Sequence, residues 1–368
     1  MKIPFVDLKA QYRSIKTEVD QAIASVIDEA TFIGGQPITD FEKEFATACG
    51  VKHCISTGNG TDTLYIIMKM LGIKTGDEVI TVANSWISSS ETITQTGAKV
   101  VFVDAHPEYY SIDESKIEEK ISPRTKALIV VHLQGQACAM NEVRKICAKH
   151  NLFLIEDCAQ SHFSQYRGQL VGTFGIAASF SFYPGKNMGA YGDAGCIITN
   201  DDAFAERFRM YARHGALVKH HHKIEGINSR MDSLQAVVLI EKLKHILRWN
   251  QARIRAAKRY DNLLRDIKEL TLPKVRPDTV HTYHLYVILA ERRDQLKEYL
   301  KSEGIETVLH YPTPLPFLEA YRYLNHRPED FPVSSKLQGE ILSLPMYPEL
   351  SDAQIDYVAA SVKSFYHQ

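Results

Sequence analysis

Three short stretches hold residues whose types and spacing could do chemistry. STGNGTDTLYIIMKML places Gly58 and Gly60 directly before a helical pattern that opens at Thr61. Two glycines let a backbone come close to an anion, and a helix start offers free N–H groups and the positive end of its dipole. LFLIEDCAQSH is an apolar run that finishes on Glu156 and Asp157. A carboxylate at a buried strand end is costly unless it meets a positive partner. SFSFYPGKNMGAYGDAG is an alternating run followed by a glycine-rich loop with one lysine, Lys186. In a low-dielectric site such an amine loses its proton more easily and forms a Schiff base with an aldehyde.

Each stretch also has a plainer explanation: a turn, a structural ion pair or helix cap, a solvated turn lysine. GNGTDT lacks the GK[ST] ending of a nucleotide P-loop and the GxGxxG spacing of a dinucleotide-binding turn. Together, however, the three specify a cofactor better than any does alone. Pyridoxal 5'-phosphate (PLP) needs an anion cradle for its phosphate, a carboxylate against its pyridinium nitrogen and a lysine for its aldehyde, and the chain offers all three in that order.

The elements that must position these residues follow from the apolar pattern. Between His53 and Asn200, short β-branched runs (HCIST, EVITVA, KVVFVDA, KALIVVHL, LFLIED, AASFSFY, GCIIT) alternate with helical patterns that begin near Thr61, Trp86, Asp113 and Met140. That alternation predicts an α/β fold with a mostly parallel sheet. ALIVV and FLI are apolar at consecutive positions, as strands covered on both faces require. In such sheets ligands bind beyond the carboxyl ends of the strands, where the candidate residues fall. After Asn200 the pattern turns helical, first DDAFAERFRMYARHG and then one long stretch from Met231 to about Leu264. A Pro-punctuated segment, LPKVRPDTVHTYHLYVIL, precedes a smaller α+β part, which divides the chain into a large domain, 1–250, and a small C-terminal one, 251–368.

With 368 residues, 45% of them hydrophobic, the chain can bury a large core. Its formal charge of -1 gives no whole-protein field toward nucleic acid or an anionic membrane. The opening MKIPFVDLKAQY lacks a signal-peptide layout and no run approaches the ~18 apolar residues of a membrane span, so a cytoplasmic protein is expected. The six cysteines show no CxxC and no metal spacing, and read as reduced packing residues. Lys219, His220, His221 and His222 form a basic cluster, but three adjacent histidines do not easily converge on one ion and no carboxylate or cysteine is spaced with them, so no metal site is expected.

FVDLKAQY, FEKEFA, GNGTDTL, EDCAQSH, SFYPGKNMGAYGDAG, GINSRMDSLQA and VLHYPTPL, in that order, resemble the sugar-nucleotide aminotransferases of PLP fold type I along the whole chain. The resemblance implies an aspartate-aminotransferase-like α/β fold and a homodimer with shared active sites. It makes Lys186 the Schiff-base lysine and general base, and Asp157 the partner of the pyridinium nitrogen. Gln160 matches the position that hydrogen-bonds the ring hydroxyl and Trp86 the aromatic that stacks on the ring. Gly60, Thr61 and Ser181 match phosphate-binding positions, and Asn228 one that reaches the phosphate in the neighbouring subunit.

On the substrate side the resemblance points to Tyr183, His310 and Tyr311 near the sugar, and to Lys219 and His220 in a loop near the nucleotide diphosphate; a solvated loop is the alternative. The lysine loop looks closest to the branch that aminates C3 ketones of dTDP-6-deoxyhexoses, rather than the branch acting on C4 ketones. The implied reaction is ping-pong, with L-glutamate as amino donor, pyridoxamine 5'-phosphate as carrier form and a role in polysaccharide biosynthesis. Sugar dehydratases similar to this family carry histidine where Lys186 stands. A non-catalytic PLP- or sugar-nucleotide-binding protein is the alternative of another class. Gln134, Cys158, Phe163, Met188 and Tyr191 depart from the family pattern and bear on sugar specificity more than on cofactor use.

Overall fold

The computed structural model describes residues 1–367. At its centre a seven-stranded sheet runs in the order His53–Thr57, Gly195–Thr199, Ala177–Ser181, Phe153–Asp157, Thr125–Val131, Glu78–Val82, Lys99–Val103. Only Gly195–Thr199 pairs antiparallel with its neighbours; the remaining pairings are parallel. The consecutive apolar positions explain why the sheet is covered twice. Leu128 and Val130 join one hydrophobic core while Ala127 and Ile129 join another, since successive side chains of a strand point to opposite faces.

A third core forms around the antiparallel sheet Leu270–Thr271, Tyr286–Ala290, Ile341–Leu344 and the helices Ile246–Leu264, Arg293–Ser302 and Asp352–Tyr366. Ile3 belongs to this core and bridges to Ile305, so the first residues of the chain pack among the last hundred. All six cysteines are buried and free. Among the described residues no helix is long and apolar enough to cross a membrane.

Two expected elements differ. The helix expected near Asp113 is a pair of single 3-10 turns, Glu114–Lys116 and Glu118–Lys120. Asp113 turns its carboxylate onto the Ser115 N–H and hydroxyl, and Pro123 stops any continuation. The long helix expected from Met231 to Leu264 is two, Ser233–Leu243 and Ile246–Leu264, broken at Lys244 and His245. Buried positions 239, 242, 246 and 249 keep helical spacing across the break, so the apolar pattern carries no mark of it.

Candidate active site

Asp157 closes the central strand Phe153–Asp157, in register with Val131 on one side and Ser179 on the other. Its carboxylate is buried; one oxygen accepts from the Ala159 N–H at 3.0 Å and the other from the Ser89 hydroxyl at 3.2 Å. Burial raises its pKa above the ordinary aspartate range, opposed by the Ala159 N–H, the Lys186 ammonium, Ser89 and His132. Glu156, one residue earlier, points the other way and is used up. It accepts from the N–H groups of Gly172, Phe174 and Gly175, each at 2.7 Å, and lies 3.0 Å from His132 Nε2. His132, Glu156 and Cys158 lie close together and line no part of the cavity described below; of the two carboxylates only Asp157 faces it.

Lys186 sits in a turn after Ala177–Ser181 in which its own N–H donates to the Tyr183 carbonyl at 2.9 Å. The chain then folds back so tightly that a Cβ on Gly189 would lie 2.2 Å from the Pro184 oxygen. From the helix Ser233–Leu243, the buried Lys242 amino group donates to the Gly189 carbonyl at 2.6 Å and holds that return in place. Burial pulls the Lys186 pKa down to about 8, against the attraction of Asp157. At neutral pH roughly one amine in ten is then free, where an ordinary lysine offers fewer than about one in a thousand.

The helix Gly60–Met70 starts where the strand His53–Thr57 ends. Asn59 caps it by accepting from the Asp62 N–H at 2.8 Å, which leaves the Gly60 and Thr61 amides without an acceptor among the described residues. Thr61 Oγ1 lies 2.7 Å from Ser88 Oγ, and Ser181 closes the other side. A Cβ on Gly60 would approach the Ser181 Cβ to 2.6 Å, so only glycine leaves this corner open.

Gly60, Thr61, Asp157, Ser181 and Lys186 all line one cavity of about 600 Å³. Trp86 and Tyr183 line it too, 58% and 59% exposed, with the Trp86 ring 5.8 Å from that of Tyr311. Gln160 spends its amide on protein partners, accepting from the Gln134 N–H at 2.7 Å and donating to the Tyr311 hydroxyl at 2.8 Å. His310 reaches the same cavity with Nδ1 2.9 Å from Ser343 Oγ. Three expected residues lie elsewhere in the chain. Asn228 is exposed and accepts from Arg230 Nε at 2.9 Å, while Lys219 and His220 line a second cavity of about 430 Å³ with Arg213, His222 and Arg230.

Four cavity or supporting residues carry no mark in the apolar pattern: Ser88, Ser89, Asp193 and His284. For the serines the run SWISSSE marks a polar stretch beside Trp86 without saying which hydroxyl meets which partner. On the short helix Ser88–Gln95, Ser88 meets Thr61, Ser89 meets Asp157, and Ser90 lies 2.8 Å from the Tyr321 hydroxyl.

The donor set fits PLP. A buried carboxylate without an ion pair suits a ring N–H⁺, unpaired helix-start amides beside a glycine-opened corner suit a phosphate, and a desolvated lysine suits an aldehyde.

Comparison with known proteins agrees. The profile described as the DegT/DnrJ/EryC1/StrS aminotransferase family matches residues 13–363. The chain is 41% identical over 365 residues to the dTDP-3-amino-3,6-dideoxy-alpha-D-galactopyranose transaminase of Aneurinibacillus thermoaerophilus, covering 99% of both. It is 40% identical over 364 residues to the erythromycin biosynthesis sensory transduction protein EryC1 of Saccharopolyspora erythraea, covering 99% of this chain and all of that one. Among solved structures, the S. venezuelae DesV in complex with a ketimine intermediate superposes with a TM-score of 0.98 at 38% identity, covering 100% of this chain and 99% of the other.

Proposed function

The chain belongs to the DegT/DnrJ/EryC1/StrS aminotransferase family, and from that premise we propose that it transfers the amino group of L-glutamate to the C3 ketone of a dTDP-linked 6-deoxyhexose. The observation that carries the chemistry is the convergence of Lys186, Asp157 and the Gly60–Thr61–Ser181 corner on one cavity. The choice of sugar is supported by the transaminase at 41% identity, whose name specifies a dTDP-3-amino-3,6-dideoxyhexose.

When bound, PLP supplies a carbonyl that exchanges amino groups and a ring that spreads the charge left on a deprotonated carbon. The Gly60 and Thr61 amides and the Ser181 hydroxyl would hold its phosphate, and Trp86 would cover its ring. Asp157, held by Ser89 and the Ala159 N–H, keeps the ring nitrogen protonated through its negative charge. Gln160, held by Gln134 and Tyr311, would meet the ring hydroxyl with the amide hydrogen it does not give to Tyr311. Lys186 Nζ takes the proton from the substrate carbon and returns it on the far side of the exchange, a role for which a pKa near 8 is matched. Tyr183, His310 and Tyr311 orient the sugar.

In this proposal residues 1–250 carry the cofactor and 251–368 bring His310 and Tyr311 to it. Two chains form a cytoplasmic homodimer in which Asn228, Lys219 and His220 serve the neighbouring site. Ile33 and Leu217, 52% and 39% exposed, line the second cavity beside His220 and support that face as one that a second copy covers.

The deciding experiment is the visible spectrum of the protein with PLP. A band that fades with L-glutamate and returns with a dTDP-3-keto-6-deoxyhexose, but not with a 4-keto isomer or a UDP-linked keto sugar, supports the proposal in full. Return with the 4-keto isomer would move the site of amination. The name of the relative at 40% identity favours a second possibility, a sensory protein that keeps the cofactor site. Such a protein would bind PLP without turnover, so Lys186→Ala would have no activity to remove.

A further inference from the structure

Asn187, which follows Lys186 directly, is buried and uses its whole side-chain amide. Its Nδ2 donates to the Thr282 carbonyl at 3.2 Å and to Asn250 Oδ1 at 2.9 Å. A carbonyl only accepts, so the group facing Thr282 is the NH₂ and the opposite atom is the acceptor oxygen. Asn250 is fixed by the same logic, since its own NH₂ donates to the His162 carbonyl at 2.9 Å. Asn187 Oδ1 lies 3.1 Å from His284 Nδ1, and two acceptors do not bond to each other. His284 Nδ1 therefore carries a proton.

In a neutral imidazole the other nitrogen then has a free lone pair. Burial keeps the ring neutral by lowering its pKa well below the usual histidine range, and the positive charges of Lys186 and Arg253 act in the same direction. His284 lines the cavity of Lys186, and Nε2 bonds to no protein donor among the described residues. The cavity thus holds a fixed acceptor that is too weakly basic to serve as a proton carrier.

We propose that His284 Nε2 accepts a hydrogen bond from a hydroxyl of the hexose and so helps decide which sugar is taken, with Asn187 as the positioning residue that fixes the tautomer. This rests on the sugar aminotransferase function proposed above. Away from the amino group that enters the exchange, the two substrates differ in chemistry. A glutamate carboxylate offers only acceptors and is repelled by a lone pair, whereas a hexose offers hydroxyl donors. A sugar lacking that hydroxyl leaves the lone pair unpaired and loses affinity.

Histidine-selective ¹⁵N NMR of the full-length protein, with and without PLP, reads the tautomer independently of turnover; the His284 signal is assigned by its loss in His284→Leu. At pH 7 an unprotonated Nε2 and a protonated Nδ1 are expected. A doubly protonated ring, or a proton on Nε2, overturns the proposal. The half-reactions are then followed singly. His284→Leu is expected to raise the sugar concentration for half-saturation roughly tenfold, the worth of about one hydrogen bond, and to change the glutamate half-reaction far less. His284→Gln, which sets an amide oxygen near the Nε2 position, should recover most of that loss. Equal loss in both half-reactions, or none in either, overturns the assignment while leaving the aminotransferase function standing. A wild type that forms no band with PLP overturns both.

Discussion

Asp157 and Lys186 line one cavity yet share no ion pair among the described residues, so each feels the other's charge only through space. Two opposite charges drawn from water without touching leave both groups under-compensated, an arrangement that a bound partner with a positive end and an electrophilic end relieves. That tension sets the pH behaviour of the lysine. Its pKa is lowered to about 8, so the free amine accumulates as pH rises through 8 instead of 10.5. The initial rate at which PLP is captured should therefore climb about tenfold per pH unit from 6 to 7.5 and level off above 8.5. Stopped-flow absorbance across that range measures it. A midpoint near 10 would mean that the site does not desolvate the amine.

Removing the Asp157 charge should cost more than removing its support. Asp157→Asn keeps the shape but leaves a cationic ring without its counter-charge, worth about 3–5 kcal/mol for a broken buried pair, or on the order of 10²–10⁴-fold in turnover. Ser89→Ala removes one hydrogen bond to a charged group, about 1.5–3 kcal/mol at most, and should lower turnover by roughly 10- to 100-fold. Comparing kcat and cofactor affinity for both variants tests the order. An Asp157→Asn enzyme with near wild-type turnover would remove the carboxylate from the site.

Gly60 is predicted to tolerate no side chain. An added methyl would press on Ser181 Cβ at 2.6 Å and occupy the corner in front of the helix-start amides. Gly60→Ala should weaken PLP binding at least tenfold, as read from equilibrium dialysis. Gly339→Ala, in the helix Pro332–Glu340, meets nothing within 4 Å and should leave binding unchanged.

The strands were legible because their apolar runs are continuous, and the chemistry was legible because it sits where those runs end. Lys186 and the pair Glu156 and Asp157 could be singled out on that ground, while the choice of Asp157 over Glu156 came from the resemblance and is explained by Glu156 spending its oxygens on backbone N–H groups. Ser89 and His284 could not. Their importance comes from a hydrogen bond to Asp157 across 68 residues of chain and from one to Asn187 across 97, and nothing in the local pattern encodes such pairings. His310 and Tyr311 come to the cavity from a segment without strand or helix periodicity and were reached only through resemblance. Asn228, Lys219 and His220 lie outside that cavity within a single chain, so geometry here leaves their service to a second subunit as a proposal.

His162 offers a test of the fold apart from catalysis. It is fully buried, packed 5.5 Å from the rings of both Phe180 and Phe182, and neither ring nitrogen has a hydrogen-bond partner among the described residues. Burial first, and the nearby Lys186 and Arg253 charges after it, pull its pKa down to about 3. An unfolded chain binds this proton near pH 6.5 and the folded chain only near 3, so between those values the unfolded state holds more protons and stability falls as pH falls. The slope from this residue alone is about 1.4 kcal/mol per pH unit. His162→Leu removes both the slope and two unpaired polar atoms. The variant should match or slightly exceed wild type in urea at pH 7.5, and its advantage should grow by roughly 2 kcal/mol at pH 5. Wild type and variant should lose stability at different rates on acidification, with His281 and His310, whose pKa values burial lowers to about 3 and about 4, supplying slope common to both. Parallel curves would mean that His162 takes up its proton in the folded protein, and that the wall behind Lys186 is wetter than its packing implies.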